Sequence, residues 1–182
     1  MSAAGSPERN DCAGRTQAAR QVCVVLGSNI HPEENLPAAL VCLRQELQVE
    51  RVSQVWQSPA VGSDGPDFLN AAALVTTALS PPELKERLRA IEARLGRRRS
   101  ADKNAPRTID LDIAVVDGQV IDPEVWERVY LAVPLAELLP RLPHPHSGEP
   151  LEQVAARLAQ QQSIRLRAEV LAGMEGAEAD ER

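Results

Sequence analysis

The chain has 182 residues, one ordinary domain's worth, and 43% of them are hydrophobic, enough for a sizeable core. A net charge of −6 argues against bulk electrostatic attraction to nucleic acid or an anionic membrane. No run approaches the ~18 apolar residues of a membrane span, and Cys12, Cys23 and Cys42 lack CxxC spacing, so they read as reduced thiols of a cytoplasmic protein and not as a disulfide frame or zinc site.

Residues 1–20 lack the apolar centre of a secretory signal. Like 173–182 they are small, polar and charged, so both ends are expected to be disordered tails around a single domain over 21–172. "QVCVVLGSN" (21–29) reads as a buried strand running into a turn. In "HPEENLPAALVCLRQEL" (31–47), Leu36, Ala39, Leu40, Leu43 and Leu47 make one apolar helical face, with Asn35 and Pro37 as its capping and opening residues. Val49, Val52 and Val55 predict a strand over 49–58, and the Gly, Pro, Ser and Asp of 58–67 a loop. "FLNAAALVTTAL" (68–79) reads as a central strand. "SPPELKERLRAIEARLG" (80–96) reads as a helix capped by Ser80, opened by Pro81 and ended by Gly96. "TIDLDIAVVDG" (108–118) is the fourth strand. Trp56, Phe68, Trp126 and Tyr130 are the only aromatics, so Leu, Val, Ile and Ala must build the core.

The order strand–helix–strand–strand–helix–strand is the ferredoxin-like α+β pattern, a sheet with two helices on one face. Further helices are predicted over 133–142 and 150–161, and an edge strand over 164–171.

Asp110 and Asp112 interrupt the fourth strand. Strand alternation puts them on one face and Ile109, Leu111 and Ile113 on the other, against the helices. Their Cα atoms lie roughly 7 Å apart. Two unpaired carboxylates at that distance repel by about 2.4 kcal/mol at an effective dielectric of about 20. Water relieves such a pair on an ordinary half-exposed strand; cations relieve it in a functional site. Oxygen-only ligands on a rigid strand suit Mg²⁺, which keeps most of its waters and also takes phosphate oxygens.

Just upstream, "RLGRRRSADKNAPR" (94–107) gathers Arg94, Arg97, Arg98, Arg99, Lys103 and Arg107 in an otherwise acidic chain. Such a cluster is either a solvated loop that favours a helix C-terminus or a set of guanidinium groups for polyphosphate. Cations for phosphate beside acids for its metal describe a nucleoside triphosphate site. No Gly-x-x-x-x-Gly-Lys-Ser/Thr occurs, which excludes a P-loop.

"PRTIDLDI", "GSN" near the start and "GPDFLNAA" in the middle together resemble the 6-hydroxymethyl-7,8-dihydropterin pyrophosphokinase family, over roughly 22–140. The resemblance implies a ferredoxin-like fold and Mg²⁺-dependent transfer of diphosphate from ATP to a pterin alcohol in folate biosynthesis. It implies that Asp110 and Asp112 hold two Mg²⁺ ions and that Arg97 and Arg107 grip the phosphates. Glu92, Thr108, Ile113 and Arg128 fall on the nucleotide side. Asn70 would hydrogen-bond the pterin, Tyr130 would stack on it, and Ser58, Pro59, Val61 and Phe68 would lie around it. For Phe68 and Val61, plain core packing is the other reading. A monomer acting on two small molecules, ATP and the pterin, is expected, with no nucleic-acid or membrane partner given the net negative charge.

The chain departs from the family at Lys103-Asn104-Ala105, where many members carry Arg-Trp-Gly, and at Ser100, where a basic residue is sometimes found. Asp122 stands where the family often has a histidine. His31, His144 and His146 match no family ligand. Competing readings are another Asp-x-Asp nucleotide-using transferase, an RNA-binding module, and a family member that binds without turnover. The short length argues against the first. The scarcity of aromatics and the acidic balance argue against the second.

Overall fold

The computed structural model describes residues 18–62, 64–98 and 105–172. The sequence tails expected to be disordered lie, except for 18–20, outside the described residues, as do Arg99, Ser100, Lys103 and Asn104. β1 (Arg20–Ser28) forms the middle of one antiparallel sheet, flanked by β4 (Phe68–Thr77) and β5 (Asp110–Val116). β2 (Gln48–Val52) and β3 (Trp56–Ser58) both pair with β4. β6 (Gln119–Val120) extends the β5 edge and β7 (Arg165–Leu166) the β3 edge.

α1 (Pro32–Glu46) and α2 (Pro81–Arg94) cover one face of the sheet. There Leu43, Leu84, Leu88 and Ile91 pack on Val22, Val24, Leu26, Ile109 and Leu111. α3 (Val129–Leu138) and α4 (Leu151–Gln161) cover the other face, where Leu131, Leu135, Val154 and Leu158 meet Cys23, Ala72, Leu74 and Val115. The expected ferredoxin-like α+β core is present, with the C-terminal helices as a third layer. Burial on both faces explains why β4 reads as a nearly continuous apolar run.

The strand expected over 49–58 is two strands. Ser53 breaks it: its buried hydroxyl accepts from Ala72 N at 2.8 Å while its own N donates to Ala72 O at 2.9 Å. α1 opens at Pro32, leaving Asn35 and Pro37 inside it; Asn35 reaches back to donate to Ile30 O at 2.6 Å. α2 carries the expected cap, a Ser80–Glu83 capping box, and Gly96 follows it at φ 81°. α3 starts four residues before the expected 133 and runs through Pro134. It cannot reach 142, because Pro140 disfavours helical backbone at Leu139. The alternation over 164–171 yields only the two residues of β7, then a 3-10 turn over Ala168–Val170. β5 and β6 are joined by Asp117 and Gly118, both at positive φ (48° and 78°), the conformation a two-residue hairpin turn requires.

β5 carries a bulge. Val24 pairs with Ile113 but Cys23 pairs with Val115, so Ala114 is the extra residue. Before it, Asp110 and Asp112 share a face opposite Ile109 and Leu111, as strand alternation predicts. After it, Ala114 and Val115 both turn toward the α3–α4 core.

Candidate active site

Antiparallel pairing brings three chemically loaded strand ends to one edge of the sheet. Gly27, near the end of β1, faces Asn70 of β4 on one side and Asp110 of β5 on the other. Val25 faces Asp112. A side chain at 27 would place its Cβ 3.3 Å from Asn70 Oδ1 and 3.8 Å from the Phe68 ring, so glycine leaves room for these two groups. A cavity of about 410 Å³ opens over this edge.

Ten of the fourteen sequence-predicted residues line it. Ser58, Pro59, Val61, Phe68 and Asn70 come from β3, β4 and the loop between them, Arg107, Asp110 and Asp112 from β5 and the segment before it, and Arg128 and Tyr130 from the start of α3. Asn70, only 6% exposed, donates through Nδ2 to Ser58 Oγ at 3.0 Å. Nδ2 also donates to Trp56 O at 3.4 Å, and because a carbonyl can only accept, that bond fixes which end of the amide faces the ladder.

Glu92, Arg97, Thr108 and Ile113 do not line the cavity. Glu92 was expected on the nucleotide side, but it is 2% exposed on the sheet side of α2. Its Oε1 accepts from Leu111 N at 2.8 Å and from Arg97 at 2.6 Å. Ile113 packs on the α1–α2 core, because its parity is opposite to that of the aspartates. Thr108 is held through its backbone: its carbonyl accepts from the buried Ser28 hydroxyl at 2.6 Å.

Arg97 reaches the site through Asp110. The Asp110 carboxylate is gripped by Arg97 on Oδ1 and by Arg107 on Oδ2. Arg97 also donates to Ile109 O at 3.1 Å. Burial alone would raise the Asp110 carboxyl, but the two guanidinium groups outweigh it and hold it below the usual carboxylate range. Asp112 goes the other way. Burial and then the neighbouring Asp110 charge push it up, and Lys85 and Arg97 offset only part of that. One strand face thus holds two acids whose surroundings push them in opposite directions.

Sequence reasoning missed Val25, Leu26, Leu131 and Glu124 as lining residues, and noted Ala105 and Asp122 only as departures. Asp122 caps the 3-10 turn over Pro123–Trp126, accepting from Glu124 N at 3.0 Å, and Glu124 lies 3.5 Å from Arg128 Nε. The Asp-Pro-Glu spacing is a turn-capping signal that predicts the 3-10 turn, while its place beside the cavity is set by the tertiary packing. None of the three histidines lines the cavity. His144 stacks edge-on against Trp126 at 4.8 Å and accepts from the backbone of His146 and Ser147.

No group of three or more His, Cys, Asp or Glu poised for a metal occurs among the described residues. Asp110 and Asp112 are a two-carboxylate, oxygen-only set beside open space. That fits Mg²⁺, which draws its remaining ligands from water and phosphate, and does not suit zinc. No helix is long and apolar enough to cross a membrane among the described residues.

The family model described as 7,8-dihydro-6-hydroxymethylpterin-pyrophosphokinase (HPPK) matches residues 23–140. The chain is 37% identical over 142 residues to a 2-amino-4-hydroxy-6-hydroxymethyldihydropteridine pyrophosphokinase of Synechocystis, covering 72% of each chain. It is 34% identical over 152 residues to the Bacillus subtilis protein of the same name, covering 77% of this chain and 90% of the other. A "Folate synthesis bifunctional protein" of Arabidopsis thaliana is 33% identical over 135 residues, covering 68% of this chain and 28% of that one. Among solved structures, a Plasmodium falciparum HPPK-DHPS chain superposes with a TM-score of 0.66 at 9% identity, over 81% of this chain. This chain spans about half of its length, 47%. At that identity the likeness concerns the fold.

Proposed function

The chain belongs to the 7,8-dihydro-6-hydroxymethylpterin-pyrophosphokinase family, and from that premise we propose that it transfers diphosphate from ATP to 6-hydroxymethyl-7,8-dihydropterin with Mg²⁺, giving AMP and the pterin diphosphate. The observation that carries this reading is the convergence at one sheet edge. Two acids, Asp110 and Asp112, two arginines, Arg107 and Arg128, and a polar-apolar pocket built on Asn70 surround one cavity.

Each group of residues has a task. Asn70 and Ser58 offer fixed polar groups at the edge of a flat ring, and Phe68 and Tyr130 offer ring faces. Asp110 and Asp112 would hold two Mg²⁺ ions, which supply charge neutralisation along the triphosphate when bound. Arg107 lines the cavity and Arg97 stands behind Asp110, so a triphosphate entering there would meet the Arg107 guanidinium directly, with Arg97 adding its charge from behind the carboxylate. The pterin hydroxymethyl oxygen attacks the β-phosphorus of ATP, the bond from the β-phosphorus to the α,β-bridging oxygen breaks, and AMP leaves. Charge builds on phosphate oxygens, which bidentate arginines stabilise. Glu92 keeps Arg97 in place from behind.

We further place the protein in the cytoplasm as a monomer and a single catalytic domain. Cys23 and Cys42 are free and buried, as a reducing compartment expects. Sedimentation at the mass of one chain would test the oligomeric state.

The deciding experiment incubates the chain with ATP, Mg²⁺ and the hydroxymethyl-dihydropterin and identifies the products. AMP with a pterin diphosphate supports the reading, and its loss on chelating the metal supports the Mg²⁺ assignment. ADP, or no reaction, overturns it.

A further inference from the structure

Residues 141–172 lie beyond the stretch that the family model matches. Their last part returns to the β3 edge, next to the cavity. β7 pairs antiparallel with β3, Leu166 opposite Trp56 and Arg165 opposite Gln57. Arg167 N then donates to Val55 O at 2.8 Å. Leu171, 9% exposed, packs into a third core cluster with Leu36, Leu40, Val55 and Leu69. Backbone pairing and apolar burial therefore fix this segment on both sides of Arg167.

The Arg167 side chain is 21% exposed and spends its donors on three separate acceptors. It reaches Glu169 at 2.5 Å, Glu33 at 3.2 Å and Gln57 Oε1 at 2.8 Å. Gln57 passes the contact on, donating through Nε2 to Asp67 Oδ2 at 2.8 Å. The polarity of this relay matters. A carboxamide can turn over and exchange its oxygen and nitrogen. If Gln57 turned over, its oxygen would face the Asp67 carboxylate and its NH₂ would face a guanidinium, and both contacts would become repulsive. Arg167 and Asp67 together forbid that orientation.

Gln57 and Asp67 immediately precede Ser58 and Phe68. Ser58 and Phe68 face each other across the β3–β4 ladder, and both line the cavity. We propose that Arg167 is a positioning residue for this wall: by fixing the Gln57 amide it ties Asp67 to β3 and sets the separation of Ser58 and Phe68. The C-terminal segment then supports the substrate site from outside the cavity. That the substrate on this wall is a pterin rests on the function proposed above; the relay itself does not.

The test uses the full chain with Arg167→Ala, Gln57→Ala and the double variant. Arg167→Ala should raise KM for the pterin three- to tenfold while kcat and KM for ATP stay within twofold. The double variant should be no worse than Gln57→Ala alone, and Arg167→Lys, which keeps a charged donor at this position, should recover part of the loss. In the ligand-free protein, peptides covering 64–70 should exchange hydrogen at least threefold faster in Arg167→Ala, while those of α2 stay unchanged. Additive pterin KM effects, or no change in exchange over 64–70, overturn the relay. So does an equal rise in both KM values with faster exchange throughout, which marks general loosening. If the wild-type chain forms no pterin diphosphate, the functional reading fails while the exchange comparison still decides the relay.

Discussion

Asn29 and Arg107, 78 residues apart, are hydrogen-bonded backbone to backbone and side chain to backbone. Asn29 N donates to Arg107 O at 3.1 Å, and Arg107 N donates to Asn29 Oδ1 at 2.7 Å. The same Asn29 donates through Nδ2 to Pro66 O at 3.2 Å. One buried side chain thus links the segment before β4 to the segment before β5, and it gives the Arg107 guanidinium a fixed base from which to reach Asp110. The Gly-Ser-Asn at 27–29 acts as this clamp: glycine leaves room for Asn70, serine holds Thr108 O, and asparagine holds Arg107.

Asn29→Ala leaves the Arg107 amide and the Pro66 carbonyl without these partners. Unfolding in denaturant should show a loss of about 1–3 kcal/mol, the cost of stranding buried polar groups. Turnover should fall at least tenfold, because the β4 and β5 sides of the cavity lose their common anchor. Wild-type turnover at full stability would remove the clamp from the mechanism.

Asp110→Asn and Asp112→Asn should part company in the ligand-free protein. Like-charge repulsion read from the sequence expects both to be neutral or stabilising. The structure makes Asp110 the counter-charge of Arg97 and Arg107, so Asp110→Asn should lower the melting temperature. Asp112 has no such role among the described contacts and is pushed up by burial and by Asp110, so Asp112→Asn should leave it level or raise it. Both should abolish most turnover. Equal melting shifts in the same direction would contradict the split.

The pH dependence follows with a definite sign. The folded-state value of Asp112 is raised above its ordinary 3.8, so its ionisation costs stability. The cost is absent below that value and grows as pH rises from there through the raised one. Asp110 is held below 3.8, so its stabilising contribution is complete above 3.8 and is lost as pH falls through the lowered value. In metal-free buffer, the stability gained by Asp112→Asn over wild type should therefore be present at neutral pH and vanish in acid. A gain that is independent of pH would refute the assignment.

Arg107→Ala should reduce turnover at least a hundredfold, since Arg107 lines the cavity and pairs with Asp110. Arg98→Ala, at an exposed position one residue past Arg97, should change it less than threefold. Steady-state kinetics at saturating Mg²⁺ would show it. Equal small losses would return the basic cluster to an ordinary solvated loop.

Local periodicity made much of this protein legible before any coordinates. Helix and strand spacing placed α1, α2, β1, β4 and β5, and strand alternation alone put Asp110 and Asp112 on one face. Elements whose limits depend on distant partners were less legible. Ser53 splits a strand only because the Ala72 backbone lies opposite it, and β7 is two residues long because it meets only Trp56 and Gln57. The site divides in the same way. Residue types and motif order pointed to carboxylates, arginines and a pocket residue such as Asn70. The burial of Glu92 behind Arg97, the double grip on Asp110, and the Asn29 and Arg167 links arise between side chains that meet only when helices and strands pack. A side chain's neighbours along the chain follow from a repeat of two or 3.6 residues. Its neighbours across the sheet, and therefore its charge state and its hydrogen bonds, depend on which strands pair and in what register.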